Sequence, residues 1–126
     1  MRRSFGERNI VLEKPAFIQG LFAYEGRGIG RPAAFDPPVV YDVPADVRAQ
    51  TVYFRAGNPA GELIYLVLVS RGKPMRYFPV GAKGAIHVPL AVLEDIPPGS
   101  RVEIHIAAPT EQKSSVLLDI GFMEIA

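Results

Sequence analysis

Segment 26–31, with the sequence GRGIGR, has the composition of an anion-binding loop. Glycines let successive backbone amides turn toward one negative group, and two arginines add positive charge. The segment lacks the Gly-Lys-Ser/Thr ending of a P-loop, and an arginine stands where a dinucleotide fingerprint requires its third glycine. A plain connection between two strands is the alternative, because glycine is common in turns. The residues of the predicted anion or carbohydrate site are Tyr24, Arg27, Gly28, Gly30 and Arg31.

His87 and His105 are the only histidines in the chain. Each falls at a position that side-chain alternation turns outward on a predicted strand. If the two strands are neighbours, both imidazoles and the carboxylate of Glu103 could bind a divalent metal. No short-range ligand spacing supports such a site, so separate surface histidines are the alternative.

Thiol chemistry is excluded by the composition. The chain has no cysteine, which rules out disulfides, thiolate catalysis and cysteine-based zinc sites. Its serines occur in turn contexts without the glycine-flanked elbow of a serine nucleophile. The sequence therefore predicts no catalytic residue and no cofactor, apart from the possible metal-dependent enzyme built on the two histidines.

Aromatic and basic side chains recur on the predicted central strands. Such a surface could stack a sugar or a base. Tryptophan, which sugar-binding sandwiches favour on the contact face, is missing from the chain. The side chains concerned are Tyr53, Arg55, Tyr65, Arg76 and Tyr77.

The element that must position these groups is a hairpin over residues 62–80. Leu63 to Val69 is an unbroken apolar run, and the turn residues on either side limit it to strand length. Gly72 suits the tight turn, and Met75 to Val80 is the predicted return strand. Both faces of the first strand are apolar, so we expect its outer face to be covered, either within the chain or by another subunit.

Further short strands surround the hairpin. Alternation predicts Val52, Phe54 and Ala56 inward, with Thr51 and Tyr53 outward. Val102, Ile104 and Ile106 are expected inward, as are Val88 and the alternate residues 116–122 of a closing strand. Other predicted elements are a strand over 9–12, a strand over 16–24 and one helical turn over 91–96.

About eight or nine short strands with frequent turns predict an all-β, antiparallel β-sandwich, either a jelly roll or an immunoglobulin-like Greek key. With 126 residues the chain should form one domain over 1–126, with a disordered arm over 1–8 as an open possibility. A net charge of +1 favours neither nucleic acid nor a membrane as partner. The N-terminus lacks an apolar signal segment, so we expect a cytoplasmic protein.

These patterns favour a non-catalytic binding or accessory module that associates with itself. A binder of carbohydrate or of a small anion is the alternative, and a partner protein is a further possibility. The expected oligomer interface combines one face of the hairpin with one face of the closing strand. Its residues are Ile64, Leu66, Leu68, Leu117, Met123 and Ile125.

Overall fold

The structure is a computed structural model that describes residues 12–90 and 94–126. These residues form nine β-strands in two antiparallel sheets. No helix long and apolar enough to cross a membrane occurs among them. The strands are β1 (Glu13–Glu25), β2 (Ala33–Asp42), β3 (Arg48–Gly57), β4 (Ile64–Ser70), β5 (Lys73–Val80), β6 (Ala85–Pro89), β7 (Asp95–Ile96), β8 (Arg101–Ala107) and β9 (Lys113–Ile125).

The strand order identifies a jelly roll. The five-stranded sheet has the order β1-β9-β3-β6, with β7 also pairing with β3, and the four-stranded sheet has the order β2-β8-β4-β5. The pairs β1–β9, β2–β8, β3–β6 and β4–β5 are those of one long hairpin that is wound into two facing sheets. The prediction of an antiparallel β-sandwich is confirmed, and the strand order selects the jelly roll from the two alternatives.

Two stacked aromatic pairs join the sheets through the core. Phe54 of β3 lies on Phe78 of β5 with ring centroids 3.8 Å apart, and Tyr41 of β2 lies on Phe122 of β9 at 4.5 Å. Val102, Ile104 and Ile106 of β8 are buried between the sheets, as alternation predicts. The alternate residues of β9, from Val116 to Phe122, complete the same core.

The hairpin is present, but the prediction that its even-numbered face forms an oligomer interface is wrong. Ile64, Leu66 and Leu68 face the interior and belong to the hydrophobic core. Val67 and Val69 lie on the outer side of β4 and are nevertheless almost fully buried. An apolar run on both faces carries no alternation, so the sequence could not show which face points inward.

A β-bulge in β3 reverses one part of the predicted register. Thr51 pairs with Phe122 of β9 and Tyr53 pairs with Gly121, so Val52 is the extra residue. Thr51 is therefore buried and Val52 is exposed, the opposite of the alternation prediction. Beyond the bulge the prediction holds, because Phe54 and Ala56 are buried.

Three predicted features fall wholly or partly outside the described residues. The arm over 1–8 lies outside them, and so does the strand over 9–12 except for Leu12. Residues 91–93 of the predicted helical turn over 91–96 are outside as well. The helical prediction is wrong at the end of that segment, where Asp95–Ile96 forms β7 and pairs with Ala49 and Gln50 of β3.

Proline marks the edges of both sheets. The edge strands β1, β2, β5 and β6 each contain proline, the two-residue edge strand β7 does not, and the inner strands β3, β4, β8 and β9 contain none. Proline donates no backbone hydrogen bond, so it opposes the addition of a further strand at an edge. The edge prolines are Pro15, Pro37, Pro38, Pro74, Pro79 and Pro89.

Candidate functional site

The backbone of segment 26–31, the predicted anion-binding loop, is hydrogen-bonded to the connection between β8 and β9. The amide of Gly26 donates to the carbonyl of Gln112 at 2.7 Å, and the amide of Gly28 donates to that of Ala108 at 2.8 Å. The amide of Arg31 donates to the carbonyl of Gly28 at 2.9 Å. The predicted cradle of free amides is therefore wrong for these three residues, whose donors are already used.

The other members of the predicted anion site are dispersed. Tyr24 is buried, and its hydroxyl accepts a hydrogen bond from the Gln112 side chain at 2.9 Å. Tyr24 and Arg27 line a groove of about 440 Å³, whereas Gly28, Gly30 and Arg31 do not. The charged residues of this groove are two of each sign, so their formal charges cancel. They are Glu25, Arg27, Asp36 and Lys113.

The predicted metal site is wrong, because the two histidines lie on different sheets. His87 is on β6 of the five-stranded sheet, and His105 is on β8 of the four-stranded sheet. Nε2 of His105 lies 2.8 Å from a carboxylate oxygen of Glu103, which gives one imidazole and one carboxylate. Within residues 12–90 and 94–126, no group of three potential metal ligands is close enough to hold an ion.

The outer face of the five-stranded sheet, in contrast, gathers several side chains with binding chemistry. Residues that pair across β1, β9, β3 and β6 form three parallel rows on this face. The aromatic row is Phe17, Gly121, Tyr53 and Pro89; the polar row is Gln19, Asp119, Arg55 and His87; the aliphatic row is Leu21, Leu117, Gly57 and Ala85.

The polar row is organised by the carboxylate of Asp119. Its Oδ1 atom accepts hydrogen bonds from Nε2 of Gln19 at 3.0 Å and from the hydroxyl of Tyr53 at 2.8 Å. Its Oδ2 atom lies 3.2 Å from Nη1 of Arg55. Donors from β1 and β3 therefore fix a carboxylate on β9, so that three strands contribute to one network.

Charge, hydrogen bonding and desolvation shift the pKa values of Asp119 and Tyr53 within this network. The hydrogen bonds from Gln19 and Tyr53, together with the nearby Arg55 and His87, hold the pKa of Asp119 below its ordinary value. Desolvation and the hydrogen bond to Asp119 raise the pKa of Tyr53. At neutral pH the network therefore holds an ionised carboxylate and a protonated phenol that donates to it.

The aromatic row depends on a glycine in the middle of β9. A Cβ atom built on Gly121 would overlap the ring of Tyr53, so the ring lies directly against the backbone of β9. Phe17 pairs with Gly121 from the other side and is 51% exposed. His87 meets Tyr53 edge-on with ring centroids 6.2 Å apart. The row thus offers aromatic surface next to the polar row.

A shallow groove of about 320 Å³ lies over the polar and aliphatic rows. Its walls include Arg55, Asp119 and Leu117, and Gly57 and Ala85 leave room between them. This volume is at the small end of the range for ligand pockets. The groove therefore suits a small ligand or one residue of a larger one.

The three β9 residues of the predicted interface differ in their exposure. Leu117 is 55% exposed on the outer face of the five-stranded sheet, next to Leu21 at 66%. Met123 is half-buried, and Ile125 is buried at 9% exposure. Leu117 and Met123 can therefore reach a partner on this face, whereas Ile125 offers little surface.

Sequence reasoning missed most of this surface. Phe17, Gln19 and Leu21 were part of a predicted strand, but its neighbours in the sheet were unknown. The signal that could have been used is Gly121, since a glycine inside an apolar strand often marks a close approach. The sequence could not show that Tyr53 makes that approach.

Comparison with known proteins assigns the chain to no family. No family model matches the chain, and no curated protein matches its sequence. Among solved structures, a chain of particles derived from infectious bursal virus is similar over 90% of this chain, with 10% identity and a TM-score of 0.46. This chain corresponds to 31% of that protein, about a third of its length.

Two further similar structures are a domain of a xylanase and an exo-β-1,3-galactanase. The CBM36-1 domain of a xylanase from the hindgut metagenome of Trinervitermes trinervoides shares 11% identity, over 90% of this chain and 97% of that domain, with a TM-score of 0.46. An exo-β-1,3-galactanase from Phanerochaete chrysosporium shares 12% identity, over 95% of this chain and 30% of that enzyme, with a TM-score of 0.38. All three TM-scores are below 0.5, so these similarities carry no conclusion about this chain, and even a shared fold does not imply a shared ligand.

Proposed function

We propose that this protein is a non-catalytic binding module that recognises carbohydrate on the outer face of its five-stranded sheet. The observation that carries the proposal is the position of the polar row between an aromatic and an aliphatic row. A sugar ring presents hydroxyl groups at its rim and C–H groups on its faces. A surface that alternates hydrogen-bonding and apolar side chains matches both kinds of group.

The contacts within the network favour rigid recognition. Asp119 fixes the side chains of Gln19, Tyr53 and Arg55 before a ligand arrives. A surface that is already ordered loses less side-chain entropy on binding. Gln19 retains its amide oxygen as an acceptor, and Arg55 retains further N–H donors, so both can bond to hydroxyl groups.

The same geometry argues against hydrolysis of the sugar. Most glycoside hydrolases use two carboxyl groups, one on each side of the bond that is broken. The polar row contains a single carboxylate, Asp119, and its lowered pKa makes it a poor general acid. Binding without chemistry is the activity that these residues support.

Calorimetric titration of a panel of oligosaccharides tests the proposal. Tyr53→Ala should weaken binding by about fivefold or more, because a stacked aromatic contact contributes about 1 kcal/mol beyond its buried area. Tyr77→Ala is the matched control, since Tyr77 is an exposed tyrosine on the four-stranded sheet. If no oligosaccharide binds, or if only Tyr77→Ala weakens binding, the proposal is wrong.

Self-association through the same face is the second candidate. Phe17, Leu21 and Leu117 are large, apolar and more than half exposed, as is common where proteins associate. A two-fold axis near the polar row would place Arg55 of one copy against Asp119 of the other, which gives complementary charges. The edge prolines disfavour association by strand addition, so we expect any dimer to form between faces.

A further inference from the structure

We infer that the carbohydrate carries a carboxylate, as a uronic acid does, and that Arg55 binds it. This inference rests on the proposed function and specifies its ligand class. Asp119 has little acceptor capacity left for sugar hydroxyls, because Gln19, Tyr53 and Arg55 already donate to its two oxygens. Its position instead makes it the support that holds Arg55 in place.

Arg55 keeps most of its binding capacity. Its hydrogen bond to Asp119 is made by one nitrogen, Nη1, and the guanidinium carries five N–H donors in a planar fork. The side chain is 56% exposed and lines the groove of about 320 Å³. A planar fork with unused donors at a groove matches the two oxygens of a carboxylate.

The other side chains around Arg55 agree with this assignment. His87 pairs with Arg55 across β3 and β6, and an imidazole offers an N–H donor in either protonation state. Tyr53 and Leu117 flank the polar row and supply apolar contact for the ring that bears the carboxylate. Arg55, His87 and Asp119 are the charged or titratable groups of the polar row. Arg55 balances the negative charge of Asp119, and the neutral donors of Gln19 and Tyr53 hold that carboxylate in place.

The test compares two oligosaccharides that differ only in oxidation at C6, oligogalacturonate and oligogalactose of equal length. We expect the uronate to bind about tenfold more tightly, the usual effect of one charge-assisted hydrogen bond. Arg55→Gln should abolish that preference, and Arg55→Lys, which keeps the charge but loses the fork, should restore part of it. Leu63→Gln, at an exposed site outside the three rows, is the control and should keep the preference.

The outcomes separate this inference from the proposed function. Equal affinity for both oligosaccharides, or an unchanged preference in Arg55→Gln, overturns the carboxylate assignment while carbohydrate binding stands. A preference that disappears in both Arg55→Gln and Leu63→Gln also overturns it, because the effect is then not local. Absence of binding to either oligosaccharide, and to the whole panel, overturns the proposed function itself.

Discussion

The ring of Tyr53 occupies the space that a side chain on Gly121 would need. Gly121→Ala must therefore displace the ring and separate the Tyr53 hydroxyl from Asp119. We expect a loss of about 1–3 kcal/mol in the free energy of unfolding, the usual cost of overpacking, together with weaker carbohydrate binding. Urea unfolding and calorimetric titration measure the two effects.

Gly57→Ala is the control for this substitution. A Cβ on Gly57 would lie 3.5 Å from Cβ of Leu117, an ordinary contact, so the strand should accept it. If Gly121→Ala and Gly57→Ala unfold at the same urea concentration, the ring is not held against β9 in the way described.

The core of β8 predicts a large cost for a single truncation. Ile104 has no exposed surface, so Ile104→Ala removes apolar contacts and leaves a cavity. We expect a loss of about 2–5 kcal/mol in the free energy of unfolding. Ile29→Ala is the matched control, because Ile29 is 43% exposed, and it should cost less than about 0.5 kcal/mol. A loss below about 1 kcal/mol for Ile104→Ala in urea unfolding would place this residue outside the core.

The contact between Tyr41 and Glu124 predicts a loss of stability in alkali. Burial, then the hydrogen bond of 2.6 Å and the charge of Glu124, raise the pKa of Tyr41 above its ordinary value of 10.0. Below about pH 10 the phenol is protonated in both the folded and the unfolded chain. As the pH rises further, the unfolded chain loses this proton first, so the free energy of unfolding decreases.

Tyr41→Phe should therefore reduce the slope of unfolding free energy against pH above about pH 10. Glu124→Gln removes the charge but keeps the burial, so its slope should be intermediate. Urea unfolding at a series of pH values measures the slopes. Equal slopes in the wild type and in Tyr41→Phe would contradict the prediction.

The segment around Gly26 should tolerate the loss of its charges but not of its first glycine. Arg27 and Arg31 are exposed, so their joint replacement by alanine should change the free energy of unfolding by less than about 0.5 kcal/mol. Gly26→Ala should cost more, because its Cβ would overlap the carbonyl oxygen of Pro109. Thermal unfolding of both variants gives the comparison, and the reverse order of their stabilities would refute this account of the loop.

The oligomeric state tests the second candidate function. If copies associate through the aliphatic row, Leu21→Lys with Leu117→Lys should give a monomer, because paired like charges repel. Leu63→Lys is the control, at an exposed leucine outside the three rows, and should leave association unchanged. Sedimentation measures the outcome, and a wild type that sediments only at 13.7 kDa at micromolar concentration would reject self-association.

Residue alternation makes most of the fold predictable. Val102, Ile104 and Ile106 alternate with polar residues, and this pattern alone is enough to assign the inner face of β8. The apolar run from Leu63 to Val69 predicts a strand from its composition and length. The pattern does not show which face of this strand points inward, because the side chains on both faces are apolar.

The candidate site was far less predictable, because it depends on which strands are neighbours. Gln19 and Asp119 are separated by 100 positions, and nothing local to either residue indicates the contact. His87 and His105 occur in similar local patterns of alternating side chains. They nevertheless lie on different sheets, so the pattern could not show whether they are neighbours. The bulge at Val52 changes the register of β3 by one residue, and no proline or glycine next to Val52 in the sequence indicates it.

The pairing of β1 with β9 also determines when the polar row can form during synthesis. Gln19 belongs to the first strand of the described chain and Asp119 to the last, so the network forms only after β9 has left the ribosome. Pairings between distant segments form slowly, since a long loop must close first. A nascent chain that still lacks β9 therefore cannot assemble the polar row, and the carbohydrate binding proposed for this face would require the whole domain to be folded.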